Sequence, residues 1–184
     1  MNEKTVIIDN FFDNLDVLRE IALDLPYNCD KNMERQHWKG YRTPDLKNFN
    51  NQILNNAVQK IFNTVKDIFN DDFIDNTIIK SHFHLLPEHK NVENILNYHR
   101  DLVEYSGVVY MNSNPPKNSG TTVLVNGLAE SIENKYNRLL IMDGELTHTP
   151  TRFFGDNILK GRLALTFFIE DPNEIGFKYP YNKQ

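Results

Sequence analysis

A histidine and an aspartate separated by one residue, in His99-Arg100-Asp101, form the first pattern in the sequence that suits metal binding. Side chains two residues apart on a β-strand point to the same face, so this pair can ligate one ion from one side. The motif alone is not specific, because about one His-x-Asp or His-x-Glu is expected by chance with 6 histidines and 25 acidic residues. The simpler alternative is a surface histidine beside a surface aspartate.

Two residues further along the chain make the pattern more specific. His148 follows the turn Asp143-Gly144, and Arg162 opens the last predicted strand. Two histidines and one carboxylate on one face of an iron ion leave three coordination positions open, which suits Fe(II) oxygen chemistry. Arginine suits a carboxylate ligand, because its planar guanidinium makes two parallel charge-assisted hydrogen bonds. The order of these residues favours an iron site beside a carboxylate-binding site.

A second histidine-rich segment, residues 81–89, is a rival metal site. His82, His84 and Glu88 resemble the first metal motif of the cupins. The glycines expected around that motif are missing, since none occurs between Gly40 and Gly107. We therefore expect His82 and His84 to share one strand face near the cleft without binding metal.

The elements that must position these residues are two helices followed by a series of short strands. Apolar residues recur at helical spacing over residues 14–25 and 50–70. Strand-like segments bounded by Gly, Pro, Asn and Asp are predicted at residues 5–9, 73–86, 103–111, 121–125, 138–142 and 162–169. This order predicts an α+β, mainly β chain with a sandwich or barrel rather than alternating βαβ units.

The loop-rich stretch 26–47 carries Trp38, Tyr41 and Arg42. Long loops of this kind often cover active sites, and ordinary packing of these side chains is the alternative.

Bulk composition narrows the class of protein. A length of 184 residues fits a single domain over residues 1–184, and the net charge of −5 disfavours nucleic acid as a partner. The single cysteine, Cys29, allows no disulfide within the chain and fits a reducing compartment. No apolar run approaches the length of a membrane helix, and no secretory signal opens the chain, so we expect a cytoplasmic protein.

Taken together, the motifs resemble the 2-oxoglutarate/Fe(II) oxygenase superfamily, and its prolyl-hydroxylase-like branch most closely. The resemblance is carried by His99-x-Asp101, Tyr110-Met111-Asn112, Gly120-Thr121, His148 and Arg162-Leu163-Ala164-Leu165-Thr166, together with Ile8-Asp9-Asn10-Phe11-Phe12 and Gly40-Tyr41-Arg42-Thr43. It implies a double-stranded β-helix, or jelly-roll, core with the N-terminal helices packed on one sheet.

The resemblance also implies roles for individual residues. His99, Asp101 and His148 would be the iron ligands and the catalytic centre. Arg162 and Tyr110 would bind the distal carboxylate of 2-oxoglutarate. Thr166, on the same strand face as Arg162, would line the cosubstrate pocket. Ala164 departs from many members, which carry a hydroxyl residue two positions after the arginine.

The implied cofactors are Fe(II) and the cosubstrate 2-oxoglutarate, with ascorbate as a further candidate. The implied reaction decarboxylates 2-oxoglutarate oxidatively to succinate and CO2 and hydroxylates a small molecule or a peptide side chain. The alternative from another class is a non-catalytic jelly-roll protein with a binding or structural role.

Overall fold

The structure is a computed structural model that describes residues 5–27, 40–69, 77–88, 98–157 and 159–171. In chain order the elements are β1 (Thr5–Ile8), α1 (Leu15–Asp24), β2 (Tyr41–Arg42), a 3-10 turn (Leu46–Asn48), α2 (Gln52–Ile68), β3 (Ile78–Leu86), β4 (Tyr105–Tyr110), β5 (Thr121–Val125), β6 (Leu128–Ile132), β7 (Leu139–Asp143), β8 (His148–Pro150) and β9 (Arg162–Glu170). Among these residues, no helix combines the length and apolarity needed to span a membrane.

The strands form two antiparallel sheets. The larger sheet has the order β1-β7-β4-β9-β3-β2, and the smaller has the order β6-β5-β8. His99 extends the smaller sheet beside β8, because its backbone exchanges two hydrogen bonds of 2.9 and 3.0 Å with His148. The described chain is thus mainly β with two α-helices, as expected of a jelly-roll-like core.

Both helices pack on the outer face of the larger sheet. The apolar side of α2, with Leu54, Val58 and Ile61, is buried against Phe83 and Leu165 of the sheet. The side chain of Asn51 accepts hydrogen bonds from the first amides of this helix and caps it. The position of the helices agrees with the expectation that they cover one sheet.

The inner face of the larger sheet is turned toward the smaller sheet and forms one wall of a cleft. Strand alternation separates the two faces of β9: Leu163, Leu165 and Phe167 join the helix-side core, whereas Arg162, Ala164 and Thr166 are on the inner face. The register places Arg162, Ala164 and Thr166 directly opposite Leu86, His84 and His82 of β3. The two histidines therefore share the inner face, as predicted.

Several predicted boundaries agree with the structure and three strands were missed. The strand over residues 121–125 is found as predicted, and the last strand extends by one residue to Glu170. Residues 73–76 of a predicted strand lie outside the described residues, and β3 begins at Ile78. The missed strands β2 and β8 contain two and three residues, too few to give a periodic pattern. Strand β6 has five residues, but it is mostly exposed and its centre, Ala129-Glu130-Ser131, shows no alternation of apolar and polar residues.

Candidate functional site

The structure brings His99, Asp101 and His148 together at one end of the cleft, here called the metal end. Nε2 of His148 lies 3.3 Å from Oδ2 of Asp101, and Nε2 of His99 lies 3.6 Å from Oδ1. One potential ligand atom from each residue lies within 4.8 Å of the other two. Two ligands bonded to one ion at about 2.0–2.2 Å are themselves separated by about 3.0–3.5 Å, so small movements would let the three bind one ion.

Backbone pairing explains why residues 49 positions apart meet. His99 and His148 face each other in antiparallel register, so their side chains emerge on the same side. The Asp101 amide donates to the Gly144 carbonyl, which holds the carboxylate beside the pair. A β-carbon at Gly144 would lie 1.9 Å from the Val103 carbonyl oxygen, so only glycine fits there. The segment expected to be a strand under His99 and Asp101 is reduced to one bridge.

Hydrogen bonding defines which nitrogen of His148 is available. Its Nδ1 lies 2.9 Å from the Leu146 carbonyl oxygen, which can only accept, so Nδ1 carries the proton. Burial lowers the pKa of His148, and the nearby Asp101 opposes that shift. When the ring is neutral, Nε2 directs a lone pair toward a carboxylate oxygen 3.3 Å away. Two acceptors in such contact require a cation or a proton between them, which fits a metal ion.

The other end of the cleft, here called the arginine end, centres on Arg162. Its side chain is buried, and the carbonyl oxygens of Ser119 and Gly120 accept from Nε and an Nη at 3.1 and 3.2 Å. The guanidinium carbon lies 5.6 Å from the ring centroid of Tyr110. The Tyr110 hydroxyl donates to Thr121 Oγ1 at 2.8 Å.

Arg162 has no carboxylate partner among the residues that the structure describes. Burial lowers the pKa of Arg162, and Tyr110 opposes that effect. A buried guanidinium without a counter-charge is costly, since paired burial is the rule for ionised side chains. Two neutral carbonyls take two of its five N–H donors and Tyr110 interacts with the guanidinium as well, so the donors that remain suit a carboxylate ligand.

Strand β5 connects the two ends. Val123 is opposite His148 in the register, and Thr121, which accepts from Tyr110, lies two residues away on the same strand face. Two residues of a strand span about 7 Å, so the metal end and the arginine end are close neighbours. This spacing suits a short dicarboxylate that contacts both.

Thr166 shares the inner face with Arg162 but uses its hydroxyl within the wall. Its Oγ1 donates to the His82 carbonyl oxygen at 3.2 Å. Its part in cosubstrate binding therefore stays a prediction.

The cupin-like alternative is wrong in its geometry. Nδ1 of His82 lies 3.0 Å from the Thr43 carbonyl oxygen and so donates to it. Glu88 lines a groove with Tyr41 and Leu85, whose side chains are on the helix side of the sheet, away from His84. Within the described residues, the group at the metal end is the one set of three metal-ligating side chains that meets.

The sequence did not decide whether Arg42 covers the active site or only packs at the surface, and the structure places it at the metal end. On β2 it is opposite His84, so it lies on the inner face, and its guanidinium carbon is 5.4 Å from the Phe168 ring centroid. Burial lowers the pKa of Arg42 to about 10, and the charge of Asp101 opposes the shift. The inward direction of the Arg42 side chain could not be predicted, because a strand of two residues shows no alternating pattern. Trp38, His37, His89 and Cys29 lie outside the described residues.

Comparison with protein-family models gives no match, and no curated protein matches the sequence. Solved structures do match.

A prolyl-4-hydroxylase from Pseudomonas putida is 15% identical, with 92% of this chain and 93% of that chain covered and a TM-score of 0.61. A prolyl hydroxylase from Trichoplax adhaerens, in complex with a hypoxia inducible factor peptide fragment, is 14% identical, with coverage of 97% and 88% and a TM-score of 0.62. HygX from Streptomyces hygroscopicus, with nickel and 2-oxoglutarate bound, is 12% identical, with coverage of 92% and 83% and a TM-score of 0.62.

These likenesses concern the fold. The chain has the fold of the 2-oxoglutarate/Fe(II) oxygenases, with prolyl hydroxylases among its structural neighbours. The resemblance seen in the sequence, to this superfamily and its prolyl-hydroxylase-like branch, is confirmed at that level.

Proposed function

We propose that this protein is an Fe(II)- and 2-oxoglutarate-dependent dioxygenase that hydroxylates a small molecule or a peptide side chain. The observation that carries the proposal is the pairing of two incomplete sites across β5. One is a His-Asp-His cluster with two acceptors in contact, and the other is a buried arginine without a carboxylate among the described residues. A metal ion completes the first site, and a dicarboxylate that binds the metal completes both.

The residues divide the task between the two ends. His99, Asp101 and His148 would hold the iron, and Arg162 with Tyr110 would bind the distal carboxylate of 2-oxoglutarate. Thr166 would form part of the pocket wall. Bound iron and 2-oxoglutarate supply oxidative decarboxylation to succinate and CO2, coupled to insertion of oxygen into a C–H bond of the substrate.

The chain itself supplies orientation and charge. The Leu146 carbonyl keeps Nε2 of His148 unprotonated for the metal, and Asp101 contributes the one anionic ligand. At the arginine end, the buried Arg162 and Tyr110 exclude water from the carboxylate, which strengthens the charge-assisted bonds. The fold that would hold these residues is a double-stranded β-helix, in which the larger sheet and the smaller sheet with the His99 segment form the two layers.

The substrate would approach from the metal end. The His99 side chain is 43% exposed, whereas Arg162 is 2% exposed. The Trichoplax neighbour binds a peptide, and HygX has also been solved with hygromycin B bound. Both substrate classes therefore belong in a screen.

The test is anaerobic titration of the protein with Fe(II) and then 2-oxoglutarate, followed in the visible range. We expect a weak charge-transfer band that saturates with cosubstrate, and slow succinate formation when oxygen is admitted, measured with and without ascorbate. Absence of the band together with absence of calorimetric 2-oxoglutarate binding would leave the alternative of a non-catalytic jelly-roll protein.

A further inference from the structure

Asn112 binds the backbone on both sides of Arg162. Its Nδ2 donates to the Gly161 carbonyl oxygen at 2.9 Å, and its Oδ1 accepts from the Leu163 amide at 2.9 Å. The Asn112 side chain is buried, with 7% of the residue exposed. One planar amide thus bonds to the residue before the arginine and to the residue after it.

The two hydrogen bonds of the Asn112 side chain take the place of backbone pairing at the start of β9, where its partner strand β4 has ended. Regular pairing of β4 with β9 stops at Tyr110 and Ala164, and the Met111 amide makes one last bond to the Leu163 carbonyl. Beyond that point the Asn112 side chain continues the ladder for the start of β9. Without it, a buried N–H and a buried C=O beside Arg162 would lose their partners, which is destabilising.

The guanidinium is held independently of the backbone. Ser119 and Gly120 accept from it through their carbonyl oxygens, and these belong to the loop that leads into β5. A β-carbon at Gly120 would lie 1.8 Å from the Ile132 carbonyl oxygen, so the loop approaches β6 closely. The arginine is therefore fixed at its Cα by Asn112 and at its tip by the loop.

We propose that Asn112 is a positioning residue for cosubstrate binding, which acts by holding the backbone of Arg162 so that its guanidinium meets the distal carboxylate. The inference rests on the proposed function for the identity of the ligand. The amide is required because it donates and accepts at once. An ionised aspartate at this position would lack the donor, and an aliphatic side chain would lack both groups.

The chain contains a matched control for this residue. Asn137 is 8% exposed, and its side chain also makes a pair of hydrogen bonds with the backbone. Its Nδ2 donates to the Phe12 carbonyl oxygen, and its Oδ1 accepts from the Phe12 backbone amide. These two side-chain bonds join the N-terminal segment to the start of β7 and involve neither Arg162 nor the metal end. The backbone amide of Asn137 also donates to the Tyr110 carbonyl oxygen at 2.9 Å, a bond that glycine at this position keeps. Asn137 has φ of 61°, so glycine is the replacement that removes its amide without backbone strain.

The experiment compares Asn112→Ala with Asn137→Gly in the full chain, with 2-oxoglutarate affinity measured by anaerobic calorimetry on the Fe(II) protein. We expect Asn112→Ala to weaken 2-oxoglutarate binding by about tenfold, the lower end for residues that orient a ligand-binding group, and to leave Fe(II) affinity unchanged. Asn137→Gly should lower the melting temperature and change the cosubstrate Kd by less than about twofold. Equal cosubstrate affinities in Asn112→Ala and wild type would overturn the proposal.

A double-mutant cycle tests whether Asn112 acts through Arg162. The Arg162→Lys background keeps a positive charge, so that 2-oxoglutarate binding can still be measured. In that background Asn112→Ala should weaken 2-oxoglutarate binding by much less than tenfold, because the guanidinium that Asn112 positions has been replaced. A full and independent effect in that background would contradict positioning of Arg162.

The proposal and the proposed function can fail separately. If wild type binds no 2-oxoglutarate, the proposed function is wrong, and a crystal structure of Asn112→Ala still decides the positioning role. Displacement of the Arg162 guanidinium from the Ser119 and Gly120 carbonyls would support that role. An unmoved guanidinium would overturn it.

Discussion

The arginine end and the metal end of the cleft differ in how completely the protein surrounds them. Tyr110 and Arg162 are 0% and 2% exposed, and the hydrogen bonds of their side chains described above go to groups inside the fold. At the metal end the side chain of His99 is 43% exposed and that of Asp101 is 13% exposed. Among the described residues, the arginine end is therefore closed, whereas the metal end is exposed at His99 and buried at His148.

The difference follows from the task proposed for each end. A cosubstrate that is always the same can be bound by rigid, buried donors, because their placement requires no adjustment. A metal that must admit a second molecule needs an accessible side. The contrast predicts that mutations at the arginine end change the affinity for one ligand, whereas mutations at the metal end change metal binding and substrate handling.

The largest effect is expected from Asp101. Replacement by Ala or by the isosteric Asn removes the one anionic ligand, so Fe(II) affinity should fall by more than about 100-fold and 2-oxoglutarate turnover should reach background. Metal content per folded chain and succinate formation are the measurements. His84→Ala is the control at a buried histidine of the same cleft and should keep the iron stoichiometry of wild type. Full metal content in Asp101→Asn would remove Asp101 from the site.

Arg162 should show the next largest effect, confined to cosubstrate binding. Losing a buried charge-assisted partner costs roughly 2–5 kcal/mol, so Arg162→Ala should raise the 2-oxoglutarate Kd by about thirtyfold or more while Fe(II) still binds. Arg162→Lys should restore part of the affinity, because lysine keeps the charge but lacks the second parallel bond. Calorimetry on the iron-loaded variants measures both, and thermal melting checks that they fold. An unchanged Kd in Arg162→Ala would exclude the arginine end as the carboxylate site.

A smaller effect of opposite sign is expected from Arg42. Its positive charge acts on Asp101 and therefore opposes a second cation at the metal end. Arg42→Gln should tighten Fe(II) binding by about threefold or less and leave the 2-oxoglutarate Kd within about twofold of wild type. Arg100→Gln, at an exposed arginine next to both ligands in sequence, is the control. Weaker iron binding in Arg42→Gln would mean that Arg42 organises the metal end.

A last effect concerns pH and should arise at two histidines of the cleft that are partly or fully buried. Burial lowers the pKa of His82 and of His148 below the ordinary 6.5, so the unfolded chain binds more protons below that value. The stability of the metal-free protein should be fully present above pH 6.5 and fall as pH decreases, by less than about 1.4 kcal/mol per pH unit for each histidine. Urea unfolding at pH 7.5 and 5.5 measures this loss. His82→Gln should reduce it, and an identical loss in that variant would exclude His82 as a contributor.

The sequence alone was enough to select the candidate site residues and to predict much of the fold. His99, Asp101, His148 and Arg162 stand out because few residue types bind iron or a carboxylate, and their order along the chain is typical of one superfamily. Helix α2 was predictable because burial of one face leaves a long apolar pattern at helical spacing, and strand β9 because burial of both faces leaves a nearly continuous apolar run. These properties are local, so they can be read within a window of residues.

Only the tertiary structure decided which of these residues meet. The bridge between His99 and His148 depends on a register between distant segments, and the strands that create it are too short for a pattern. The same holds for Glu88, which local spacing groups with His84 but which lines a groove with Tyr41 and Leu85 in the folded chain. The hydrogen bonds of Asn112 and of the Ser119 and Gly120 carbonyls could not be predicted from the sequence for a further reason. Each of these hydrogen bonds has a backbone group on one side, and because every residue carries the same backbone groups, that side of the bond leaves no trace in residue type.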